Sequence, residues 1–143
     1  MNLSNHSRGV TLIELMIVIV VVAILGAIAV PTYRNYLIRT NRTEARMALL
    51  RIQTAQEKFY LQNNRYADDE ELDDAPPNGL GVPATTPSGF YTIAIDNYAE
   101  DGTTYRAVAT AAGGQRDDIE ACRTITINQD GSRTPAQGSG CWR

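Results

Sequence analysis

Residues 10–30 form a run of apolar and small side chains interrupted only by Thr11 and Glu14. As a helix this run extends roughly 30 Å at ~1.5 Å per residue, the thickness of a bilayer's hydrocarbon core. It carries fifteen large apolar side chains. At roughly 1.5–3 kcal/mol each, leaving them in water costs on the order of tens of kcal/mol. The segment must therefore be covered at every stage of the chain's life. A secretory signal peptide would have a basic start, a shorter apolar region and small residues before its cut. Here the apolar run is longer than such a region and continues into an amphipathic pattern. A plain membrane anchor leaves Glu14 unexplained, because an ionisable group at membrane depth is costly and commonly functional.

The remainder of the 143-residue chain suffices for one domain with one modest core. From Tyr33 to about Asn63, Leu37, Ala45, Ala48, Leu49, Ile52, Ala55 and Phe59 recur at threes and fours, which predicts an amphipathic helix continuous with the apolar one. The two halves together make a spine of about fifty residues. Pro31 removes an N–H and strips the Ala27 carbonyl of its helical partner, so a bend or local melting is expected there, with Gly26 adding freedom just before it. Arg34, Arg39, Arg42 and Arg46 follow; a solvated face, or acidic groups on adjacent subunits, would satisfy them.

Residues 67–88 carry Asp68, Asp69, Glu70, Glu71, Asp73 and Asp74 and then Pro, Gly and Thr, the composition of a connecting loop. Their spacing does not match a calcium loop, so no metal is expected. A solvated loop, or one meeting arginines of a neighbour, fits better. Strand signals follow at 90–96 with Tyr91, Ile93 and Ile95 on one face, at 104–111, and at 123–128 with Ile125 and Ile127. Asp130-Gly131 marks a tight turn, and Arg133-Thr134 reads as a brief last pairing before Pro135. The expected architecture is α+β: an antiparallel meander burying one face on the long helix. Cys122 and Cys141 are an even pair in a chain with an export-like start, which suggests a disulfide formed outside the cytosol and closing a C-terminal loop.

The run Gly9-Val10-Thr11-Leu12-Ile13-Glu14-Leu15-Met16-Ile17-Val18, behind a short polar leader, resembles the class III signal of type IV pilins and pseudopilins. The resemblance implies cleavage after Gly9 on the cytoplasmic side by a prepilin peptidase that also methylates the new amino terminus, here Val10, where the family usually has Phe. Glu14 matches the fifth mature residue and Pro31 the proline after the membrane-spanning half, both assembly positions. It further implies a leader at 1–9, a transmembrane and filament-core helix at 10–32, its amphipathic continuation at 33–63, and a globular region at 64–143 with a disulfide-closed C-terminus. Around Tyr60 to Tyr66 and Cys141-Trp142 the layout is similar to small minor pilins of the PilE kind.

Membrane lipid, the peptidase, the inner-membrane assembly platform and other pilin subunits are the implied partners. The implied location is the inner membrane, N-terminus in the cytoplasm, and then an extracellular pilus. A simple count of the four arginines after Pro31 against Arg8 would place the domain in the cytoplasm; the cleavage signature and the disulfide require the reverse.

Charge chemistry supplies a role for Glu14 apart from any resemblance. Cleavage leaves an ammonium on Val10 about one turn away, and a helix N-terminus favours a carboxylate. Among staggered helices that carboxylate can reach a neighbour's ammonium and so set register.

Three functions compete: a structural, minor rather than major, pilin serving motility, adhesion or DNA uptake; a pseudopilin of type II secretion; and a DNA-binding or adhesive pilin using Arg106, Arg116, Arg123 and Arg133. The cysteine pair favours the pilus over secretion. The net charge of −3 argues against general nucleic-acid affinity. An enzyme is excluded by inventory, since the one histidine, His6, lies in the leader and oxidised cysteines leave no nucleophile and base pair. No cofactor motif is present.

Overall fold

The computed structural model describes residues 10–96, 99, 101–135 and 139–142. One helix, α1, runs Leu12–Asn63 over 52 residues. The chain divides into two compact units, the second beginning at Ile38.

Within the second unit α1 buries Asn41, Ala45, Leu49, Ile52, Gln56 and Phe59, a stripe at spacings of three and four. It ends where Asn64 enters the left-handed region at φ 55°, with its N–H on the Tyr60 carbonyl at 2.8 Å. Asn tolerates that conformation better than most residues, which makes it a natural helix stop. The returning chain is then fastened to the helix. Gln56 donates to the Ala67 carbonyl and accepts from the Ala67 N–H, both at 2.8 Å.

A four-stranded antiparallel sheet of β1 (Tyr91–Asp96), β2 (Arg106–Ala111), β3 (Thr124–Asn128) and β4 (Arg133–Thr134) follows, paired in sequence order. In β2, Ala107 sits between Ile95 and Ile127, and Ala109 between Ile93 and Ile125. Small central residues flanked by isoleucines make a shallow inner face, and Ala45, Leu49 and Ile52 of α1 join the same buried cluster. Tyr66 bridges the rings of Tyr60 and Tyr105, each at a centroid distance of 4.8 Å. Gly131 occupies φ 78° in the turn before β4, as the Asp-Gly signal anticipates.

Three strands start later than their residues suggest. Phe90 is exposed, Tyr105 is buried against Tyr66, and Arg123 closes a turn on the Glu120 carbonyl. Two short 3-10 turns, Gly113–Asp117 and Glu120–Cys122, fill the connection from β2 to β3. Residues 67–88 contain no helix or strand, apart from a single bridge of Thr85 to Thr92.

Cys122 and Cys141 are bonded and fully buried, with Cα atoms 5.3 Å apart. The closed segment spans 19 residues, which by chain entropy is worth about 3 kcal/mol. Replacing Cys141 with serine should lower domain stability by roughly that amount, measured as a midpoint shift in denaturant under non-reducing conditions. An unchanged midpoint would show that the tail contributes nothing.

Candidate functional site

The helix start is built from the residues that carry the cleavage pattern. Thr11 caps α1: the Glu14 N–H is shared between the Thr11 carbonyl at 3.1 Å and its hydroxyl at 3.3 Å. Thr11-Leu12-Ile13-Glu14 thus has the spacing of a capping box, a signal legible in the residues themselves. Glu14 lies in the first turn, where the helix dipole favours its charge. Val10 is exposed beside it, and Gly9 lies outside the described residues. From Leu12 to Val30 the large apolar side chains are exposed, Leu12 by 76% and Val21 by 48%. The helix has a window of mean hydropathy 3.0, none of it buried. So long an exposed apolar surface demands a second medium or partner.

Of the bend or local melting expected at Pro31, the melting is not observed, since α1 stays helical through it. One hydrogen bond is lost, and the Thr32 hydroxyl one residue later donates to the Ile28 carbonyl at 2.9 Å.

In the second unit, Arg42 is neither solvated nor left for a neighbour. It forms a two-pronged ion pair with Asp118 of its own chain, Nε to Oδ2 at 2.6 Å and Nη2 to Oδ1. The Asp118 side chain is 1% exposed, and hydrogen bonding to it holds the Arg42 guanidinium above its ordinary range despite partial burial. Gln115 knits the pair to α1. It donates to Asp118 Oδ2 at 3.0 Å, to the Ile38 carbonyl at 3.2 Å and to the Tyr91 hydroxyl at 3.2 Å, and accepts from Asn41 at 3.0 Å. Glu44 accepts from the backbone and hydroxyl of Ser88. Arg39, Arg42, Thr43, Arg46 and Gly140 line a cavity of about 500 Å³. Burial, and then the charge of Arg42, push the Arg46 guanidinium down.

The four arginines considered as a nucleic-acid patch do not converge. Arg106 and Arg133 lie at the Asn128 end of β3, where Arg106 pairs with Asp96 at 2.5 and 2.9 Å and Arg133 stacks on Trp142 at 5.0 Å. Arg123 lies at the Thr124 end and donates to the Asp118 carbonyl, and Arg116 lies in the 3-10 turn Gly113–Asp117. Among the described residues no group of three His, Cys, Asp or Glu could hold a metal ion.

Comparison with known proteins agrees with both units. Residues 4–30 match the prokaryotic N-terminal methylation motif. Residues 31–126 match the family described as "Type IV minor pilin ComP, DNA uptake sequence receptor". The chain belongs to the type IV pilins. This pilin is 42% identical to the type IV major pilin protein PilA of Myxococcus xanthus over 52% of its own length and 34% of that protein's. It is 39% identical to the prepilin peptidase-dependent protein D of Escherichia coli over 57% and 53%. With the type IV major pilin protein PilE1 of Neisseria gonorrhoeae it shares 34% identity over 65% and 41%. The chain therefore spans about a third to a half of the length of these relatives. A solved type IV pilin from Shewanella oneidensis shares the fold, with a TM-score of 0.52 at 20% identity over 74% of this pilin and 98% of that one.

The Arg42–Asp118 pair of this pilin is the contact least visible in the sequence. Seventy-six residues separate its partners, and Asp118 stands in sequence beside Asp117 and Glu120 like any solvated acid.

Proposed function

We propose that this pilin is a minor structural subunit of a type IV pilus, cut after Gly9, methylated on Val10, and held by residues 10–32 first in the inner membrane and then in the filament core. The carrying observation is the exposed apolar face of α1, headed by a capped first turn that holds Glu14. Lipid and the packed helices of sister subunits are the two media that satisfy it. Within them Glu14 pairs with a Val10 ammonium and sets register, residues 33–63 continue the spine, and residues 64–143 supply the filament's outer surface. Pro31 acts as a site of yielding when the helix changes medium. The peptidase and an inner-membrane assembly platform act on the chain before export. Deleting the gene and scoring surface pili, twitching and protein secretion separately tests this reading. Loss or thinning of pili with normal secretion is expected; lost secretion with normal pili would assign the chain to a secretion pseudopilus.

A second reading, DNA uptake, is favoured by the match of residues 31–126 to a family described as a DNA uptake sequence receptor. Phosphate contacts make such binding salt-dependent. The fragment starting at Ile38, titrated with duplex DNA, should bind at low salt and lose affinity as salt rises. No binding at low salt would remove DNA from its ligands and leave the structural role.

A further inference from the structure

Ile119 is a large aliphatic side chain held out to solvent. It is 55% exposed, yet its backbone is pinned on both sides. Its N–H donates to Asp118 Oδ1 at 2.6 Å, and its carbonyl accepts from the Cys122 N–H at 2.9 Å. Cys122 is anchored in turn by the disulfide, and Asp118 by Arg42. A branched side chain on so fixed a turn has little freedom to lose on contact. Glu120 follows it, exposed and with no cationic partner among the described residues.

A surface of matching character lies elsewhere on the second unit. Met47 and Leu50 of α1 are exposed, and with Leu80 and Val82 they wall a groove of about 570 Å³. Both lie off the buried stripe of Ala45, Leu49 and Ile52, so the core does not account for them. Arg51 and Lys58 line the same groove, about 10 Å apart along the helix at ~1.5 Å per residue. Neither has a carboxylate partner among the described residues. The Ile119 turn is tied to α1 through Asp118 and Arg42, whereas Arg51 stands about 180° round the helix from Arg42 at 3.6 residues per turn. The turn and the groove therefore lie on different sides of α1.

We propose that the Ile119 turn of one copy seats in the Met47, Leu50, Leu80 and Val82 groove of a second copy, with Glu120 meeting the Arg51 and Lys58 side chains. Apolar and charged parts match in one arrangement: an aliphatic centre beside an acid on one surface, aliphatic walls beside two bases on the other. An apolar projection that fits a pocket elsewhere on the same molecule makes a head-to-tail contact, and such a contact propagates into an open filament when it does not close into a ring. This rests on the pilus reading above and adds which faces of the globular unit meet.

The test uses two full-length chains carrying different tags, produced together, with co-purification from detergent extracts as one readout and presence in sheared pili as another. Ile119→Asp removes the projection, and Met47→Glu with Leu50→Glu removes the groove; all three positions are exposed. Each altered chain should co-purify with a differently tagged copy of itself about tenfold less than the unmodified chain does, the order lost with one buried aliphatic side chain. The two altered chains together still hold one intact turn and one intact groove, so mixing them should return the contact to near the unmodified level. Arg51→Glu with Lys58→Glu should also weaken self-association, and adding Glu120→Arg to that same chain should recover it. The milder Ile119→Ser and Met47→Gln are used if an altered chain fails to form the Cys122–Cys141 bridge. Alterations without effect, or a mixture no better than either altered chain with itself, would overturn the proposal and leave the pilus reading standing for a chain found in pili. The expected pattern in a chain absent from pili would uphold the docking and overturn the pilus reading instead.

Discussion

Replacing Glu14 with alanine should lower this pilin's content in sheared pili by about a hundredfold or more, while cleavage after Gly9 and membrane insertion proceed as before. Insertion depends on residues 10–30, whose apolar surface dwarfs one side chain, and the alanine is a better helix former than the residue it replaces. Assembly is different. On the proposed reading, the Val10 ammonium of a neighbour needs a carboxylate in the packed apolar core, and removing one partner of a buried pair costs about 3–5 kcal/mol. At about 1.4 kcal/mol per factor of ten, that is roughly two to three and a half orders of magnitude in incorporation. Glu14→Gln separates charge from capping. The amide retains the length and hydrogen-bonding capacity of a capping box but carries no charge, so it should fail like alanine. Quantitative blotting of pilus and membrane fractions gives the answer, and a glutamine variant that assembles normally would reduce Glu14 to a local helix cap.

Replacing Arg42 with alanine should destabilise the unit from Ile38 onward by about 3–5 kcal/mol, because it strands the Asp118 carboxylate in a site 1% exposed. That is a large share of the ~5–15 kcal/mol available to a domain. The loss should exceed that of the disulfide and be visible as a lower denaturation midpoint. Arg42→Lys should recover only part, since an ammonium cannot reproduce the two-pronged geometry seen at Asp118 Oδ1 and Oδ2. Combining Arg42→Met with Asp118→Asn should be milder than Arg42→Ala alone, because it leaves no lone charge. If Arg42→Ala proved as stable as the unmodified chain, Asp118 would have to be satisfied by Gln115 and the Ile119 N–H alone.

Much of the architecture was legible because it rests on periodicity. The run from Tyr33 to Asn63 carries its core stripe at spacings of three and four, and the structure buries Ala45, Leu49, Ile52 and Phe59 as that stripe requires. Alternation at Tyr91, Ile93 and Ile95 likewise placed the inner face of β1. Strand starts were less legible, since Phe90, Tyr105 and Arg123 suit strands by composition and are used otherwise through tertiary contacts. The 3-10 turns after β2 carry no period at all. Gln115 and Asp118 sit there, and only folding reveals that they meet Asn41 and Arg42. At the helix start the Thr-x-x-Glu spacing was available as a local rule, whereas the continuity of α1 across Pro31 depends on how one missing bond is tolerated.

The uncovered side chains of α1 bear on energetics beyond attachment. The same surface is shielded whether its surroundings are acyl chains or other helices, so the large apolar contributions nearly cancel between the two destinations. What remains to choose between them is small and polar: a carboxylate, an amine, and the head-group contacts of the globular part. On the proposed reading, a single altered charge can then decide whether a subunit resides in the bilayer or in the fibre, and the transfer needs no denaturation of the chain.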